Sequence, residues 1–131
     1  MIIVIKSTLR ADRVINTEDR NFAKKVAKEI IKDQIAPIDK ITGITIERVR
    51  RYGNKYLVSL KVSLCREIEI NTGDVNEAIR AFIDNFQAIK GYYELEDVEE
   101  EDRDKLTIED IAIKGEYHPP YFAIEKLNER Q

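Results

Sequence analysis

From Tyr56 onward every second residue is apolar: Tyr56, Val58, Leu60, Val62 and Leu64, with the phase carried on through Ile68 and Ile70. Successive side chains of a strand point to opposite faces, so this run specifies one long strand with a single apolar face. Such a face must be buried, and the chain has to supply a second layer to cover it. Upstream, Ile44 and Ile46 alternate before Val49 falls out of phase, which places a bulge near Glu47-Arg48. Gly53-Asn54 between the two runs reads as a hairpin turn.

Two amphipathic helices can form the covering layer. Asn16 or Thr17 is expected to cap the first, over 17–34, whose apolar residues Phe22, Val26 and Ile30 recur every four positions beside Ala23, Ala27 and Ile31. Lys24, Lys25, Lys28 and Lys32 fall on its outer face, and Pro37 closes it. Asn71-Thr72-Gly73-Asp74 starts the second, over 74–90, with a stripe of Ala78, Ile79, Phe82, Ile83, Phe86 and Ile89 and Gly91 as its end. Both helices should pack on one sheet, with Phe22 and Phe82 inside. Residues 2–8 read as a strand, and two more are expected near 106–113 and 121–127, separated by Tyr117-His118-Pro119-Pro120. The predicted class is α+β, in the order β-α-β-β-α-β-β, a mixed sheet with two helices. Residues 1–131 form a single domain in this reading, with 94–104 an acidic loop insertion.

At 131 residues and 43% hydrophobic content the chain can build one core. Its single cysteine, Cys65, excludes an intramolecular disulfide and fits a reducing compartment. No run approaches a membrane span, and Met1–Lys6 is too short for a signal peptide's apolar region, so a cytoplasmic protein is expected. Charge is unevenly shared: residues 1–66 carry a balance of +8 and residues 67–131 one of −11. The first half suits phosphates; the second suits cations or a basic partner, unless the two offset each other across one surface.

The start of the second helix gathers chemistry. Asp74, Asn76, Glu77, Arg80 and Asp84 lie within eleven residues, and Asp104 later opens a strand that ends in Lys114. This pattern resembles the RusA-type Holliday-junction resolvases, whose helix begins Asp-x-Asp-Asn-x-x-Lys and whose later strand opens with Asp and closes with Lys. Asp74 stands at the family's first metal-binding aspartate, Asn76 at its second, Glu77 at its asparagine and Arg80 at its lysine, while Asp104 and Lys114 match the later pair. The resemblance covers the last half of the chain. It implies a RusA-like fold, a homodimer, and Mg²⁺-dependent cutting of branched DNA in recombination and repair. Asp74 and Asp104 would hold the ion, Glu77 or Asn76 would assist, and Arg80 and Lys114 would neutralise the scissile phosphate. Hydrolysis needs a metal-activated water, so the amide at Asn76 weakens the ion's hold. A relative that binds DNA without cutting it is therefore also open, and Asp102 is a further oxygen donor in reach by sequence. The same residues also satisfy simpler roles: Asp74 and Glu77 have capping-box spacing, and Arg80 with Asp84 is an i,i+4 ion pair.

Arg48, Arg50, Arg51 and Lys55 cluster at the hairpin tip with Tyr52 and Tyr56, a mixture suited to phosphate contact and base stacking and equally to keeping an edge soluble. With the helix lysines they would form one basic face for branched or duplex DNA, if the fold unites them. His118, the lone histidine, gives no zinc site, and Cys65 reads as strand packing. The rival from another class is a non-enzymatic regulator or inhibitor that meets a protein partner through its acidic half.

Overall fold

The computed structural model describes residues 2–71, 73–94 and 104–114, and the long alternating run sets its layering. The elements are β1 (Ile2–Ile15), α1 (Arg20–Gln34), β2 (Lys40–Tyr52), β3 (Lys55–Glu69), α2 (Val75–Tyr93) and β4 (Asp104–Lys114). The four strands form one sheet in the order β2-β3-β1-β4. All three pairings are antiparallel, not mixed as expected, because each helix returns the chain across a neighbouring strand. This is the split β-α-β order, shared by many proteins of unrelated activity. The expected strand 121–127, His118 and residues 95–103 of the acidic loop lie outside the described residues.

Alternation fixes which side chains each face receives. Ile3, Ile5, Leu9, Ala11 and Ile15 of β1 join Val58, Leu60, Val62 and Leu64 of β3 and Leu106 and Ile111 of β4 in one buried cluster. Ala23, Ala27 and Ile31 of α1 and Ala78, Ile79, Phe82, Ile83, Phe86 and Ile89 of α2 complete that cluster, so both helices cover the same side of the sheet. Val4 and Leu57, which point the other way, are buried but do not belong to it. Phe82 is fully buried and stacks on Phe86, with ring centroids 6.4 Å apart. Phe22, expected inside, is 52% exposed, and the small residues Ala23 and Ala27 make the close approach instead. The covering layer thins over β2: Ile41, Ile44, Ile46 and Val49 are only half-buried.

Local chemistry explains the boundaries. Tyr52 pairs with Lys55 across a two-residue turn, with Gly53 at φ 64° and no other described residue at positive φ, a conformation glycine adopts without a Cβ clash. The register of β2 slips between Ile46 and Arg48, as the phase change at Val49 predicts, and again between Ile41 and Gly43. β1 runs on to Ile15 rather than stopping near residue 8, which moves the α1 cap from Asn16 or Thr17 to Asp19. Asp19 accepts from the backbone N–H groups of Asn21 and Phe22 at 3.0 and 3.1 Å, while Thr17 accepts from Asp19 N–H at 3.1 Å. α2 passes through Gly91 and ends at Tyr93. No described helix is long and apolar enough to cross a membrane.

Candidate functional site

Of the residues expected to hold a metal, Asp74, Asn76 and Glu77 lie together at the start of α2, and Asp104 opens β4. Asp74 is the N-cap of α2 and accepts from the Asn76 N–H at 2.9 Å; Asn76, Glu77 and Arg80 lie exposed on the first two turns. Asp104 opens β4 opposite Ala11, and Lys114 closes the same strand opposite Ile2. At ~3.4 Å per residue the two ends of β4 lie roughly 30 Å apart along the backbone. Among the described residues no three carboxylate, thiol or imidazole groups converge as a metal site would require.

Asp104 instead completes a buried network. Its two oxygens accept from Arg13 at 2.6 and 2.9 Å, and the same guanidinium donates to Gln34 Oε1 at 3.1 and 2.7 Å. The side chains of Arg13 and Asp104 are only 9% and 11% exposed. Arg13 therefore joins β1, the end of α1 and the start of β4. A second network joins β3, the α1–β2 connection and the end of α2. Arg66 makes two 2.7 Å bonds to Asp39, Tyr93 Oη donates to Asp39 at 2.5 Å, and the Ala36 N–H donates to Tyr93 Oη at 3.0 Å. Burial, then the bond to the Asp39 carboxylate, pushes the Tyr93 hydroxyl well above the usual tyrosine range, so it remains a donor. Sequence spacing could not reveal these pairs, whose members lie 91 and 27 residues apart.

The other face of the sheet is covered by no described element, and the strand register arranges its side chains in rows. One row runs Lys105, Arg10, Lys61 and Thr45 across β4, β1, β3 and β2. The next holds Thr107, Thr8, Ser63 and Gly43; the one beyond it holds Asp110, Lys6, Cys65 and Lys40. A hydroxyl row thus lies between two rows that carry cations. Among the described residues, Lys6, Lys40, Lys61 and Lys105 make no ion pair, and Arg10 has only a 3.6 Å approach to Glu47 between half-exposed side chains. Two shallow grooves follow the rows: one of about 460 Å³ beside Arg10, Asp12, Glu47, Ser59 and Lys105, the other of about 330 Å³ beside Lys6, Thr8, Thr42, Ser63, Cys65 and Glu109. The sequence signal for this face lies in the outward positions of β1 and β3, where cations and hydroxyls alternate with the core residues. Within any one strand that pattern is indistinguishable from an ordinary solvated face.

The hairpin tip is divided between the faces. Alternation sends Arg48 and Arg50 to the open side, opposite Ser59 and Leu57. Arg51 goes to the helix side, where its guanidinium lies 5.2 Å from the Tyr56 ring centroid and donates to Tyr56 Oη at 3.4 Å. α1 lies on that side too, so its lysines do not share a face with Arg48 and Arg50. The single basic face expected from the hairpin and helix together is replaced by one built from strand residues alone. No known protein family, curated protein or solved structure matches this chain.

Proposed function

We propose that this is a DNA-binding domain that grips the phosphate backbone with the open face of its sheet, in the manner of a non-cutting relative of the junction nucleases it resembles. The observation that carries the reading is the row Lys105–Arg10–Lys61. Like charges set directly opposite on neighbouring strands oppose folding, and here three stand side by side; Asp12 and Glu47 line the groove beside them, and the one ion pair the row makes among the described residues is the loose 3.6 Å approach of Glu47 to Arg10. A polyanion laid across the face relieves that repulsion and releases counterions as it binds. Arg48 and Arg50 extend the cationic surface toward the hairpin tip. Asp104 favours binding over cutting, since its carboxylate is already held by Arg13.

The test is titration of labelled duplex and four-way-junction DNA at several salt concentrations. Lys61→Gln with Lys105→Gln should flatten the dependence of log K on log salt by about 0.9 for each phosphate no longer neutralised. Lys25→Gln with Lys32→Gln on α1 should leave it unchanged. A wild-type protein that fails to retain DNA at low salt, or an α1 variant that weakens as much as the sheet variant, overturns the reading. Junction cleavage in Mg²⁺ that disappears in Asp74→Asn would return the site to the nuclease assignment.

A further inference from the structure

We infer that the groove over the hydroxyl row is a subsite for a single phosphate group, a deepening that rests on the DNA-binding reading for the source of that group. Thr8 supplies the evidence beyond charge. It sits on the open side of the central strand, lines the 330 Å³ groove, and is only 3% exposed. Its hydroxyl has no partner among the described residues, a condition that native structures rarely tolerate for a buried polar group. Ser63 lies directly opposite on β3. Thr42 is already engaged, its hydroxyl donating to the Ser63 carbonyl at 3.2 Å. Ser7 also lines the groove but belongs to the inward-pointing set of β1, and Thr107 shares the row without lining the groove, so Thr8 and Ser63 are the groove-lining hydroxyls of the row placed to donate to an incoming oxygen.

Both sides of this pair are cationic. Lys6 and Lys40 flank Cys65 in one adjacent row; Arg10 and Lys61 lie in the other. Phosphate needs this combination, with hydroxyl donors pointing at its oxygens and ammonium or guanidinium groups beside them. The space beside Gly43 on β2 is open, since a Cβ there would meet nothing within 4 Å. Among the described residues Glu109, an extra residue where the β4 register slips, is the one carboxylate lining the groove, and Asp110 stands opposite Lys6 in the adjacent row; both oppose an anion.

Cys65 is the sole cysteine and is half-exposed on the groove wall, which makes it a single-site reporter. The experiment follows its alkylation by iodoacetamide, a neutral reagent, against added inorganic phosphate, with chloride matched for ionic strength. Phosphate should slow the reaction several-fold and saturate. Thr8→Val keeps the shape while removing the donor, and should weaken phosphate by roughly tenfold. Lys6→Gln with Lys40→Gln should abolish protection, and Glu109→Gln should strengthen it. Circular dichroism melts identify any variant that fails to fold, and wild-type protection by phosphate is independent of all of them. A second arm replaces inorganic phosphate with duplex DNA. Protection by both supports a backbone phosphodiester as the natural occupant. Protection by phosphate alone keeps the subsite, assigns it to a free phosphate, and counts against DNA binding. DNA retention with alkylation indifferent to both ligands overturns the subsite and leaves the DNA-binding reading standing.

Discussion

On the side of the sheet that carries the helices, Arg13 and Arg66 each meet a carboxylate through two short bonds, and nearly all of both pairs is buried. On the other side, Lys105, Arg10 and Lys61 stand abreast with one carboxylate 3.6 Å from Arg10. The contrast follows from the solvent. A charge taken out of water must be paired and hydrogen-bonded, whereas an exposed one can remain unpaired at small cost. Charges on the covered face hold separate segments of the chain together, and those on the open face remain available to a ligand.

The largest effect should come from breaking a covered pair. Asp104→Ala takes the carboxylate away from a buried guanidinium, and should cost about 3–5 kcal/mol in urea unfolding. Replacing both, Arg13→Met with Asp104→Leu, should recover most of that stability. If Mg²⁺ raised the wild-type melting temperature and Asp104→Asn removed the effect, Asp104 would be a metal ligand and the comparison would fail. Next in size is Tyr93→Phe, which removes the donor to Asp39 and the acceptor for the Ala36 N–H, a destabilisation of about 1–3 kcal/mol. The folded protein holds the Tyr93 proton more tightly than the unfolded chain does, so its contribution is complete below about pH 10 and declines as pH rises further. Unfolding between pH 8 and 11 should therefore show a steeper fall in wild type than in Tyr93→Phe.

Smaller effects sharpen the contrast. Asp74→Ala should cost about 1 kcal/mol through removal of the α2 cap, with DNA affinity unaltered. A fall in affinity without a fall in stability would instead give Asp74 a role at the ligand. Smallest of all is Lys61→Gln, which thins the cation row and should raise stability by about 0.2–0.5 kcal/mol while it weakens DNA binding. Opposite signs for Asp104→Ala and Lys61→Gln are the most direct measure of how differently the two faces treat charge.

Much of the scaffold is legible wherever apolar periodicity is uninterrupted. β3, the stripe of α2 from Ala78 to Ile89, the Gly53 turn and the bulge beside Glu47 all follow from phase alone. β1 runs longer than its apolar pattern implies because two of its inward positions are Ser7 and Arg13, and a buried arginine breaks the alternation that marks a strand. Phe22 departs from expectation for a related reason. A four-residue spacing cannot say which of two adjacent stripes faces the sheet, and small alanines allow closer packing than a phenylalanine does. The open face is illegible for a deeper cause: its rows exist only through register between strands distant in sequence, and no single segment contains them.

The position of β1 also bears on how the chain acquires its structure. It is flanked by β3 and β4, whose residues opposite Ile3 are Ile68 and Ile113. Only β2 and β3 are joined by a tight turn, so that hairpin can close within microseconds, while both pairings of β1 wait on long loop closures. Folding should accordingly be slow for a domain of this size. During synthesis β1 emerges before either neighbour exists, with Ile3, Ile5 and Leu9 unshielded until more than fifty further residues have followed. The strand that ends up most enclosed is thus the one exposed longest, and the interval before β3 arrives is when this chain is most vulnerable to aggregation.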